Sequence, residues 1–124
     1  MKKEYRLKKN EDFQHVFQRG YSVANRQFVV YQVKKVDQTT IRFGLSISKK
    51  IGNAVMRNRI RRLMKEVLRE LTDKCHQDRD VIIIARKPVA DMDYHEIKKS
   101  LNHVLKVAKL QKPHSIERSR GEIR

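Results

Sequence analysis

From Ser48 to Leu71 the chain reads SKKIGNAVMRNRIRRLMKEVLREL, and between Lys49 and Arg69 it carries eight basic residues against one acid, Glu66. Asn53 can cap a helix, and no glycine or proline interrupts the run behind it, so the pattern predicts one long helix. At about 100° per residue, Met56, Ile60, Leu63, Met64, Val67, Leu68 and Leu71 fall on one stripe. Arg57, Arg61 and Lys65 follow one another along the edge of that stripe, with Arg62 and Arg69 further round. Such a helix must bury one face and leave a dense row of cations on the other, which commits the domain to a core on one side only.

Solvated helix faces usually mix signs, so that acids and bases pair one turn apart. This one hardly does, and its like charges repel until a polyanion arrives. Arginine outnumbers lysine between Arg57 and Arg69, and its planar fork suits phosphate oxygens and base edges. The whole chain has the same bias: 30 Lys and Arg against 14 Asp and Glu over 124 residues, a net charge of +16. Nucleic acid is the expected partner. A membrane is the other polyanion, but no apolar run approaches transmembrane length and the opening MKKEYRLKKNEDF has no apolar signal core. Cys75 stands alone, so no internal disulfide framework is possible, and a cytoplasmic protein is expected.

The length suits one domain with a modest core. Residues 1–9 form a basic arm. Asn10 can cap a short helix that runs to Arg19 and stops at Gly20, with Phe13, Val16 and Phe17 on one face. Aromatic residues at that spacing are ordinarily core. Tyr21 to Asn25 suits a turn or an edge strand. Gln27 to Val36 is rich in β-branched and aromatic residues and reads as a strand, with Phe28 and Val30 on one face and Val29 and Tyr31 on the other. Asp37-Gln38 suggests a turn, so that Thr39 to Ser48 pairs back as a hairpin. There Ile41, Phe43, Leu45 and Ile47 face the core, while Arg42, Gly44, Ser46 and Ser48 make either a groove floor or a wet surface.

After the basic helix, Asp73 to Asp80 suggests a polar loop and Val81 to Ala85 a buried strand. A strand–helix–strand crossover of this length implies one parallel pair in an otherwise antiparallel sheet. Asp93 to Leu110 predicts a second amphipathic helix, with Ile97, Leu101, Val104, Leu105 and Ala108 inward. The fold class is therefore α+β, a two-layer sandwich in the order α-β-β-β-α-β-α. Residues 1–110 form the domain, and 111–124 are expected to be a basic, disordered tail.

Catalytic patterns are missing from the sequence. The five histidines are scattered, none with the spacing of a zinc-binding His-Glu-x-x-His, and one cysteine makes no metal cluster. Cys75 is expected to be a surface or half-buried thiol. Asp91 and Asp93 suit a helix cap better than a metal site, and Lys49-Lys50-Ile51-Gly52 is not a phosphate loop. No catalytic residue and no protein metal ligand is assigned.

The string KKIGNAVMRNRIRRLMKEVLRE resembles the signature of the bacterial ribonuclease P protein component, above all in Arg57-Asn58-Arg59. RLKKNEDFQHVFQRG, SVANRQFVVY and DVIIIARKP are similar to the same family, so the likeness covers most of residues 5–110. It implies a small subunit of a ribonucleoprotein that removes the 5′ leader from precursor tRNA, with catalysis by an RNA subunit that holds most of the Mg2+. By position it implies RNA-subunit contacts at Lys49, Lys50, Asn53, Arg57, Asn58, Arg59, Arg61, Arg62 and Lys65. It also implies a leader-binding cleft made by Phe13, Phe17, Val29, Tyr31, Ser46, Arg57 and Arg61, which takes the two phenylalanines out of the core. A left-handed crossover between the parallel strands and the lack of an obligate protein partner come from the same likeness. A non-catalytic ribosomal or RNA-architecture protein is the alternative, sharing the charge but having no use for the cleft.

Overall fold

The computed structural model describes residues 5–112. Three helices and four strands run α1 (Asn10–Arg19), β1 (Tyr21–Ala24), β2 (Phe28–Lys34), β3 (Arg42–Ile47), α2 (Ala54–Leu71), β4 (Arg79–Ala85) and α3 (Tyr94–Val107), with short 3-10 turns before and after α2 and before α3. The order and the α+β class are those read from the sequence. Among the described residues no helix is long and apolar enough to cross a membrane.

The sheet order is β1-β2-β4-β3. β1 pairs with β2 and β2 with β4, both antiparallel, while β3 and β4 are parallel. The expected hairpin between β2 and β3 is thus absent, because β4 lies between them. The reason is burial: Val81, Ile82 and Ile83 are fully buried, and a strand apolar on both faces belongs in the middle of a sheet. The other edge of β3 is met by the N-terminal arm, where Arg6 bridges in parallel to Phe43 and the Leu7 N–H donates to the Phe43 carbonyl at 3.0 Å.

The main core lies between one sheet face and the α2–α3 pair. Phe28, Val30, Phe43, Val81 and Ile83 meet Ile60, Met64, Val67 and Leu68 from α2 and Ile97, Leu101, Val104 and Leu105 from α3. Both helices begin as their sequences dictate. The Asn53 Oδ1 accepts from the Met56 N–H at 3.0 Å, and Asp93 and Glu96 form a reciprocal capping box. The opposite sheet face carries a smaller cluster of Leu7, Val16 and Ile82, with Phe13, Tyr31, Val33 and Ile84 around it. Among the described residues α1 and Leu7 of the N-terminal arm cover that face, which leaves part of it open.

Four local expectations need correction. Asn10 is the first residue of α1 rather than its cap; the Lys9 carbonyl accepts from Asp12 and Phe13, and no side chain caps the helix. Asp80 belongs to β4, not to a loop, and is fully buried because Arg42 neutralises it. Cys75 is fully buried, its thiol beneath the end of α2 and donating to the Leu71 carbonyl at 3.4 Å. Gln111 and Lys112, assigned to the tail, return along the 74–76 segment: Gln111 bridges Cys75, and the Lys112 N–H donates to the Lys74 carbonyl. The rest of the expected tail lies outside the described residues.

Candidate nucleic-acid interface

The cationic row is built on α2, whose apolar stripe sets its rotation against β3 and α3. Arg57, Arg61 and Lys65 are half-buried along one flank, and Asn58 and Arg62 are exposed on the outer face. Lys49 and Lys50 stand exposed in the 3-10 turn ahead of the helix, where the Ser48 Oγ accepts from the Lys50 N–H at 3.1 Å. Asn53 is occupied as the helix cap. Arg59 is not gathered with the others. It lies on the far flank, with Nη2 3.4 Å from the Met92 carbonyl.

Charge on this row is uncompensated. The ion pairs among the described residues involve Arg42, Arg69, Arg79 and Lys98, and none involves Lys49, Lys50, Arg57, Arg59, Arg61, Arg62 or Lys65. Arg61 reaches only the neutral Asn58 Oδ1, at 3.3 Å. The Arg57 Nε is buried without a hydrogen-bond partner. An unmatched buried donor of this kind is costly.

The aromatic cleft follows from the strand register. Tyr31 faces Ile82, which faces Gly44; Val29 faces Ile84, which faces Ser46. These two rows alternate out of the main core and lie under α1. Phe13 packs over Gly44, and Phe17 meets Tyr31 edge to face with ring centroids 4.9 Å apart. Helical spacing alone suggests that both phenylalanines are core. Instead, Val16 between them is the one fully buried residue of α1, Phe13 is half-buried and Phe17 is 45% exposed. Val29 and Tyr31 are half-buried and Ser46 is exposed, so the floor is open.

A groove of about 360 Å³ joins cleft and helix, lined by Phe13 of α1, by Phe43, Gly44 and Leu45 of β3 and by Arg61 and Lys65 from α2. Its remaining wall is the N-terminal arm, through Arg6, Leu7 and Lys8. Sequence reasoning missed Arg6 and Lys8 as groove residues. The signal was an alternation in which Leu7 turns inward and its two cationic neighbours turn out. The groove brings Phe13 to Arg61 and Lys65, while Phe17, Tyr31, Val29 and Ser46 continue the same surface on neighbouring rows.

Chemically, this arrangement can grip a flexible polyanion with flat bases. Among the described residues no three His, Cys, Asp or Glu side chains converge. The sequence family model for ribonuclease P matches residues 1–109. The chain belongs to the ribonuclease P protein component family. It is 59% identical over 117 residues to the ribonuclease P protein component of Listeria welshimeri, covering 93% of this chain and 98% of that protein. Against the Bacillus cereus protein the identity is 59% over 106 residues, covering 86% and 92%. Among solved structures, the Staphylococcus aureus RNase P protein superposes with a TM-score of 0.81 at 47% identity, over 87% of this chain and 98% of that one. The Thermotoga maritima RNase P protein gives 0.74 at 28% identity, over 82% and 96%. Membership of the ribonuclease P family makes this chain a component of an endoribonuclease.

Proposed function

We propose that this chain is the protein subunit of a ribonuclease P ribonucleoprotein in the bacterial cytoplasm, binding both a catalytic RNA and the single-stranded 5′ leader of precursor tRNA. The observation that carries the reading is the open aromatic surface of Phe17 on Tyr31 and Phe13 over Gly44, whose Phe13 end lines one groove with Arg61 and Lys65, neither of them ion-paired among the described residues. Unpaired RNA is held in this way, by stacking on aromatic rings beside a basic channel at roughly 1–3 kcal/mol per stacked base. Lys49, Lys50, Asn58, Arg62 and the Arg57 flank of α2 would take the RNA subunit, where several cations in line match a helical phosphate backbone. Arg59 would join them only by leaving the Met92 carbonyl.

Bond cleavage falls to the RNA, with Mg2+ at its phosphates. The groove does not fit a divalent cation: its charged lining, Arg6, Lys8, Arg61 and Lys65, would repel one. No step is assigned to a metal held by this chain.

The test is reconstitution. Nuclease-treated protein should leave precursor tRNA intact, and the same protein with its RNA subunit should accelerate leader removal at low Mg2+. Phe17→Ala should weaken precursor binding by about 1–3 kcal/mol while leaving RNA-subunit affinity unchanged. Cleavage by the nuclease-treated protein would point to an autonomous nuclease. A Phe17→Ala particle with wild-type substrate affinity would favour an RNA-architecture role instead.

A further inference from the structure

Asp80 is the one fully buried carboxylate among the described residues, and it is the root of a chain of contacts that ends on the cleft wall. It accepts from the Arg42 Nε at 2.9 Å and Nη2 at 2.7 Å, and from the Gln38 Nε2 at 2.9 Å. That bidentate grip fixes the guanidinium plane. The remaining nitrogen, Nη1, is thereby presented to the Asp12 carboxylate, 3.6 Å away. Asp12 sits in the first turn of α1, next to Phe13 and five residues before Phe17.

The contact matters because α1 is thinly held. It has ten residues and only Val16 is fully buried. Its ends are tied to the sheet, through Leu7 on β3 and through β1, but along its length Val16 is the one fully buried apolar contact besides the rings, so its tilt over the sheet is lightly set. Phe13 and Phe17 lie on either side of Val16, so a change of tilt would slide one ring off Gly44 and the other off Tyr31. The Asp12–Arg42 contact adds a side-chain hold in the first turn, beside Phe13, where the tilt is decided.

We propose that the Asp80–Arg42–Asp12 chain is a positioning device for the cleft, holding α1 at the angle that keeps the Phe13 and Phe17 rings ready for unpaired bases. The proposal rests on the leader-binding reading above and assigns Asp12 and Arg42 a part in it without contact to RNA. Neither residue lines the groove.

The experiment compares precursor tRNA carrying a long leader with the same tRNA carrying none, each bound to the reconstituted particle. The ratio of the two affinities isolates the leader. Asp12→Asn should cut that ratio about threefold, the scale of a partly exposed ion pair, and weaken the nuclear Overhauser contact between the Phe17 and Tyr31 rings. Asp12→Glu, which keeps the carboxylate, should recover most of both. Glu11→Gln is the control, because it removes the other first-turn acid of α1 without touching Arg42. If Asp12→Asn matches wild type while Phe17→Ala loses the leader effect, the positioning role is refuted and the cleft stands. If Glu11→Gln loses as much as Asp12→Asn, the effect belongs to the helix dipole and the proposal is overturned. If Phe17→Ala keeps the full leader effect, the cleft reading itself fails.

Discussion

Replacing Gly44 by alanine tests the cleft geometry through its sign. Gly44 has ordinary strand backbone, and a Cβ there would lie 2.5 and 2.7 Å from two carbons of the Phe13 ring and 3.3 Å from Leu7 Cδ1. Without the ring, Gly44→Ala would stabilise the fold by about 0.4–1 kcal/mol, because alanine loses less chain entropy on folding. With the ring in place, Phe13 must retreat by roughly an ångström to restore ordinary contact. Overpacking of this kind costs about 1–3 kcal/mol, so the net change is a destabilisation of about 1–2 kcal/mol. In a domain of this size each kcal/mol lowers the Tm by about 4 °C. Urea and thermal melts of Gly44→Ala, Phe13→Ala and the double variant decide the matter. In the Phe13→Ala background the same glycine substitution should become neutral or stabilising, which gives a coupling of about 1–3 kcal/mol. A Gly44→Ala protein as stable as wild type would mean that Phe13 does not sit over β3, and the cleft as described would be wrong.

Arg61→Ala and Lys65→Ala should each weaken RNA binding and reduce the slope of log affinity against log salt by about one, measured by filter binding across a salt series. Melting temperature should stay level or rise, since both lie off the apolar stripe and repel their neighbours. Cys75 should resist thiol reagents in the folded protein at pH 8 and react fully in denaturant, because burial pushes its thiol up to about 11. The sign in pH follows: the unfolded chain gives up this proton near the ordinary 9.0 and the folded chain near 11, so stability falls as pH rises through that window. Cys75→Ala should remove that part of the fall in urea melts.

Much of this was legible because α2 is locally self-consistent. Its cap, its stripe and its charge row agree, and the same holds for the capping box and inward face of α3. What escaped was non-local. Asp37-Gln38 does mark a turn, but a turn does not say which strands pair across it, and the doubly apolar Val81–Ile83 run outcompeted the local partner for β2. Arg42 and Asp80 went unread as a pair because they are far apart in sequence and meet only once β3 and β4 lie side by side. In α1, spacing placed Phe13, Val16 and Phe17 on one face correctly. Nothing in that spacing said that the helix would touch the sheet through its middle residue and leave both rings partly open. The family resemblance supplied that expectation; in the structure Phe13 is half-buried and Phe17 exposed.

The most direct measurement is the affinity of precursor tRNAs whose leaders are shortened one nucleotide at a time, with and without this chain on the RNA subunit. The protein's contribution should shrink stepwise and vanish when about one leader nucleotide remains, since no unpaired base would then reach the rings. A contribution independent of leader length would show that the chain aids the RNA by charge alone.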